Sequence, residues 1–225
     1  MNCRFPAPFL PRVEPAPCKG ALFRRPRMIC KRIVMHIGMG KPGSSSIRPT
    51  LATHCDDKHV HSVHLGQINA IRSLAAAFVD DPTRCVYCRQ IGLEPSAVPT
   101  LRADALRVLD LELTKTDGRT AILSAEAASR FNLDECRSLA THLARYTNNL
   151  RAVAYVRRPK RRMVSNFQQK VKASVVRKLP VENALRDYPA RFEPIDLGFG
   201  RDRVDLGLFD PARFPRSDAV LHFCR

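Results

Sequence analysis

In RIVMHIGMGKPGSSSI, residues 32–47, an ammonium group at Lys41, glycines at 38, 40 and 43 and hydroxyls at Ser44, Ser45 and Ser46 follow directly on an apolar, β-branched run. A strand that ends at Ile37 in a glycine-rich turn, with a helix opening near Ser44, aims backbone N–H groups and the positive end of a helix dipole at one spot. The chemistry of such a spot is anion binding. Gly38 and Gly43 have the spacing of a nucleotide-triphosphate loop, yet Ser44 stands where that loop needs lysine, and the lysine comes earlier, at Lys41. An ordinary kinase or ATPase is therefore disfavoured.

A second group of chemistry-bearing residues follows. His54, Cys55, His59, His61 and His64, with Cys85 and Cys88 downstream, are ligand types that zinc accepts. Their spacing matches no standard zinc module, so the reading is a histidine-rich surface loop and no metal is expected.

These residues need a frame. β-branched runs predict strands at Arg32 to Ile37, Thr120 to Ser124, Ala152 to Val156 and Val204 to Phe209, with helices between them. In residues 98–115, Leu101, Ala105, Leu106, Leu109 and Leu113 make one helical stripe, and in residues 134–146 Leu139, Leu143 and Tyr146 make another. Alternating strands and helices predict an α/β fold, a P-loop-like parallel β-sheet with helices on both faces. The length of 225 residues and the 44% apolar content fit one such domain. The formal charge of +17 and pI near 10.2 favour anionic partners such as phosphate, sulfate, polyanionic sugars or nucleic acid without choosing among them.

Lysine, one residue, glycine, then two or three hydroxyl residues is the phosphosulfate-binding loop of the sulfotransferases, and HIGMGKPGSSSI resembles their bacterial versions. The second half of the family's signature is matched by AVAYVRRPKRRMVSNF, where a strand precedes Arg157 and a serine follows eight residues later at Ser165. ILSAEAASRF between them also looks like the family, so the resemblance covers roughly residues 31–225. It implies a donor, 3′-phosphoadenosine 5′-phosphosulfate, anionic at both ends. By resemblance, Lys41, Gly43, Ser44 and Ser45 hold the 5′-phosphosulfate, and Arg157 and Ser165 grip the 3′-phosphate. Sulfuryl transfer also needs positive charge at the leaving oxygen, which suits Lys41, and a proton acceptor. Glu126 follows the strand AILSA and is the candidate for that base, with a first-turn helix glutamate as the alternative reading. His36, in the strand before the loop, is a weaker candidate and reads better as an interior histidine. The implied partners are the nucleotide donor and a hydroxyl-bearing acceptor, carbohydrates among them.

The sequence departs from the family at three places. Pro42 removes one backbone donor from the loop and fixes its φ, and Pro49 is expected to kink or end the first helix. THCDDKHVHSVH, residues 53–64, has no helical stripe where the family has a helix and a short connection. SDAVLHFCR predicts a capped helix from Ser217 or Asp218, with fewer residues after it than family members carry, so the domain at 29–225 is expected to be incomplete at its C-terminus.

Residues 1–28 are basic and proline-rich without a helix or strand period, and a disordered tail is expected there. No apolar run of 18 residues and no signal-peptide core are seen, so a cytoplasmic protein with reduced thiols, away from membranes, is expected. Three readings stand at this point: a sulfotransferase, an inactive relative that still binds the nucleotide, and a basic polyanion or nucleic-acid binder. The last has no recognisable nucleic-acid module behind it.

Overall fold

The computed structural model describes residues 28–38, 44–54, 57–67, 69–85, 88, 92–172 and 188–224. Five strands form one sheet: β1 (Arg32–Ile37), β2 (Val60–Ser62), β3 (Thr120–Ala125), β4 (Leu150–Val156) and β5 (Val204–Leu208). Their spatial order is β2-β3-β1-β4-β5, and every pairing is parallel. The fold is thus the expected α/β parallel sheet, with β1 at its centre.

Strand periodicity assigns the two faces. Ile33, Met35 and Ile37 of β1, Ala121, Leu123 and Ala125 of β3, and Ala152 and Ala154 of β4 are buried in one continuous core. Helices α2 (Ile71–Phe78), α3 (Val98–Thr114), α4 (Leu133–Leu143) and α6 (Tyr188–Phe199) supply the rest of it. The stripe read on α3 is the one buried: Ala105, Leu109 and Leu113 are inside, with Leu101 and Leu106 packed against them. On α4, Cys136, Leu139, Ala140 and Leu143 do the same, and Tyr146 follows them into the core. An Asn132–Glu135 capping box starts α4, each side chain bonded to the other's backbone N–H.

The opposite face carries α1 (Ser44–His54) and the short α7 (Ala219–Phe223). Ile47, Leu51, Tyr155 and Phe214 form a second, smaller core there. Beneath it, toward the amino ends of the strands, Val34, Ile122 and Val153 floor a groove of about 890 Å³ between Arg32 and Arg151. Helix α5 (Pro159–Lys172) follows β4.

Two expectations about the chain after α1 are corrected. α1 does not end at Pro49 but continues to His54. Proline costs the helix one N–H bond, whereas Ile47 and Leu51 on either side of it are buried against the sheet, and this packing outweighs the loss. Within residues 53–64, read as a histidine-rich surface loop, Val60–Ser62 forms edge strand β2, paired with Thr120–Ile122 of β3.

The helix expected from Ser217 or Asp218 is α7, and Asp218 is its cap: Oδ1 accepts from the N–H groups of Val220 (2.7 Å) and Leu221 (3.3 Å). Tyr155 reaches α7 from the sheet, its hydroxyl 2.6 Å from His222 Nδ1. Asp218→Ala is expected to cost about 1 kcal/mol in urea unfolding, the usual value of an N-cap. No loss would mean that α7 is held by Phe214, Val220 and Phe223 alone.

Among the described residues no helix is long and apolar enough to cross a membrane. The tail expectation for residues 1–28 falls, apart from Met28, outside the described residues.

Candidate anion-binding site

β3, β1 and β4 are neighbours in a parallel sheet, so their carboxyl ends lie along one edge, and each is followed by a residue singled out above. Gly38 follows β1, Glu126 follows β3 and Arg157 follows β4. In the register, Ile37 pairs with Ala125, which brings Gly38 beside Glu126. From β1 the chain crosses to β2 on one side, and from β3 it crosses back over β1 to β4 on the other. β1 is therefore the switch point of the sheet, where open α/β folds bind ligands.

Gly38 is packed tightly. A Cβ at this position would lie 3.0 Å from both Cα and Cγ of Glu126. Its carbonyl accepts from the buried Ser129 hydroxyl at 3.1 Å, and Arg191 Nε donates to that hydroxyl at 3.3 Å. Ser44 and Ser45 are the first two residues of α1, so their backbones stand at the helix N-terminus that the sequence requires. Lys41, Pro42 and Gly43 lie outside the described residues.

Glu126 begins a 3-10 turn, Glu126–Arg130. Its backbone N–H donates to Asn69 Oδ1 at 3.1 Å, and its carboxylate Oε2 meets Arg48 Nη2 of α1 at 2.7 Å. Arg157 is half-buried, and its guanidinium lies over the Phe209 ring at 4.6 Å from the centroid, a cation–π contact that sets its direction. Burial, and then the nearby Arg161 cation, lower its pKa from the ordinary arginine value. Ser165 is half-buried on α5, two turns along from Arg157. The structure thus gathers the start of α1, Glu126 and Arg157 at one edge, with Ser165 on the helix leading away from it.

His36 is an interior residue. It is 1% exposed, shares a hydrogen bond of 2.8 Å with Ser124 Oγ and meets the Phe223 ring edge-on at 5.2 Å. Burial, then the Arg48 cation, push its pKa down to about 4, so it is neutral at neutral pH. His61, on β2, is turned toward Glu112 of α3 with 3.6 Å between Nε2 and Oε2. Among the described residues no three His, Cys, Asp or Glu side chains gather as a metal site. Cys55 lies outside those residues.

Arg48, Asn69 and Ser129 escaped the sequence reading. Arg48 stands four residues after Ser44, on the helix that opens at the anion loop, and this spacing was its one signal. Asn69 and Ser129 carry no spacing that points to the site.

No family model matches this chain, and no curated protein does. A solved structure of a sulfotransferase from Alicyclobacillus acidocaldarius is similar over 85% of this chain and 78% of its own, at 16% identity and a TM-score of 0.51. A sulfotransferase domain from the curacin biosynthetic pathway matches at 12% identity and TM-score 0.43, over 79% of this chain and 67% of that one. One from a Synechococcus olefin synthase matches at 15% and 0.44, over 79% and 66%. The first of these likenesses shows that the chain has a sulfotransferase fold.

Proposed function

We propose that the chain is a sulfotransferase-like protein that binds 3′-phosphoadenosine 5′-phosphosulfate and transfers its sulfuryl group to a hydroxyl acceptor. The observation that carries this reading is the adjacency of β1 and β4. It sets the helix N-terminus that opens at Ser44 and the Arg157 guanidinium on neighbouring strand ends, two cationic sites for a ligand with anions at both ends.

In this reading Lys41, Gly43 and the first residues of α1, Ser44 and Ser45, hold the 5′-phosphosulfate, while Arg157 and Ser165 hold the 3′-phosphate. The acceptor oxygen attacks sulfur, the bond from sulfur to the bridging phosphate oxygen breaks, and adenosine 3′,5′-bisphosphate leaves. Lys41 supplies positive charge to the departing oxygen. The acceptor proton goes to the Glu126 carboxylate, which Arg48 orients through Oε2.

Calorimetry with adenosine 3′,5′-bisphosphate tests the reading. Wild type is expected to bind it, and Arg157→Ala to bind about 30-fold more weakly, or ~2 kcal/mol, the size of a lost charge-assisted bond. Melting without ligand is expected to change little, since Arg157 stands at the sheet edge. Equal affinity in the two proteins would remove Arg157 from the site. An absence of nucleotide binding, with steeply salt-dependent binding to any polyanion instead, would replace the reading with general polyanion affinity.

A further inference from the structure

We infer that the Arg48–Glu126 ion pair is a clamp across the anion-binding turn, and that Arg48 is a positioning residue for the anion held there. The inference rests on the reading of that turn as the donor's 5′ site.

β1 ends at Ile37 and α1 opens at Ser44. One residue of β3's exit touches Gly38, just after β1, and Arg48, on α1. Cα and Cγ of Glu126 sit so close to Gly38 that a Cβ there would lie only 3.0 Å from each, and Oε2 holds Arg48 Nη2 at 2.7 Å, one turn into α1. Glu126 is itself fixed, since its N–H donates to Asn69 Oδ1 at 3.1 Å. On the other side of Gly38, Ser129 holds the carbonyl at 3.1 Å. The strand end is thus gripped by the 3-10 turn, and α1 is tied to the same turn by the Arg48–Glu126 ion pair.

The pair is well placed for this task. The side chains of Arg48 and Glu126 are 14% and 25% exposed, so water screens their attraction less than at an open surface. The hydrophobic contacts of α1, at Ile47 and Leu51, seat the helix on the sheet. Such contacts are non-directional, and the ion pair adds a directional hold. What it fixes is the distance between Gly38 and the first turn of α1, and hence the convergence of the helix N-terminus on a bound anion. Anion affinity is therefore coupled to a pair of residues that need not touch the anion.

The test compares wild type, Arg48→Met, Arg48→Lys, Glu126→Gln and the Arg48→Met/Glu126→Gln double variant. Amide hydrogen exchange over residues 33–48, in the ligand-free protein, is expected to quicken about tenfold in Arg48→Met and in Glu126→Gln, as for loss of a half-buried pair. The double variant is expected to go no further, because each single change already breaks the same bond. Arg48→Lys, which keeps the cation, is expected to recover most of the protection. Affinity for adenosine 3′,5′-bisphosphate is expected to follow the same order. Unchanged exchange in both single variants, or losses that multiply in the double variant, would overturn the clamp. Nucleotide affinity that is lost in Arg48→Met but intact in Glu126→Gln would overturn it too, making Arg48 a direct ligand. Should wild type not bind the bisphosphate, the functional reading fails, and the exchange result still decides the clamp.

Discussion

Gly198→Val is expected to destabilise the protein by about 3 kcal/mol, at the upper end for overpacking a tight interface. Gly198 lies on α6 where that helix crosses α4, and a Cβ there would stand 2.5 Å from Cys136 Cβ, 3.1 Å from the Cys136 carbonyl carbon and 3.2 Å from the Arg137 nitrogen. Two of those three atoms are backbone, so no rotamer change relieves the clash. The helices would have to separate, and with them Phe192, Ile195 and Phe199, all buried between α6 and the sheet. Alanine tests the argument more sharply. It is a better helix former than glycine by about 1 kcal/mol, so a net loss in Gly198→Ala shows that the close approach outweighs propensity. Urea unfolding with an unchanged slope would measure both. A stable Gly198→Val would mean that α6 is not seated on α4.

Acid is expected to remove about 3 kcal/mol of stability through one residue, His36. Its folded pKa is about 4, lowered chiefly by burial and secondarily by Arg48, against an ordinary value of 6.5. Above pH 6.5 the histidine is neutral in both states, and its contribution to stability is fully present. As the pH falls from 6.5 toward 4 the unfolded chain takes up a proton that the folded chain refuses, so stability falls through that window. His36→Asn, which has nothing to protonate, is expected to lose less stability than wild type between pH 7 and pH 4.5. Parallel losses in the two proteins would mean that His36 is not the titrating group.

The parts of this protein that could be read from the sequence are those set by local chemistry. Arg32–Ile37 announces itself through its β-branched residues, and the stripes on α3 and α4 are periodic because each helix has one buried face. Asp218 could be read as a cap because its side chain acts within three residues of itself. β2 could not be read in this way. Val60–His61–Ser62 is too short and too mixed to show an alternation, and the strand exists because β3 offers an open edge to pair with. Pro49 misled for a related reason: its local cost is real, but Ile47 and Leu51 answer it from the tertiary structure. At the site, Glu126 was found because it ends a strand. Its partner Arg48 was not, since a single arginine on a helix has no signature until the fold carries it to a residue 78 positions away. Lys41 and Gly43, read from the same loop, lie outside the described residues.

The place of β1 in the middle of the sheet also bears on how the protein is made. Arg32 pairs with Thr120 and Ile33 with Leu150, so the strand that carries the anion loop leaves the ribosome long before either neighbour exists. At ordinary rates of synthesis, roughly 5–20 residues per second, about ten seconds separate β1 from β4. During that interval Ile33, Met35 and Ile37 have no sheet to enter, and nascent chains that meet at this segment can associate through it. Slower elongation lengthens the exposure, whereas cooling weakens the apolar association itself. Holdase chaperones, or growth at low temperature, are expected to decide how much of the chain reaches the soluble fraction.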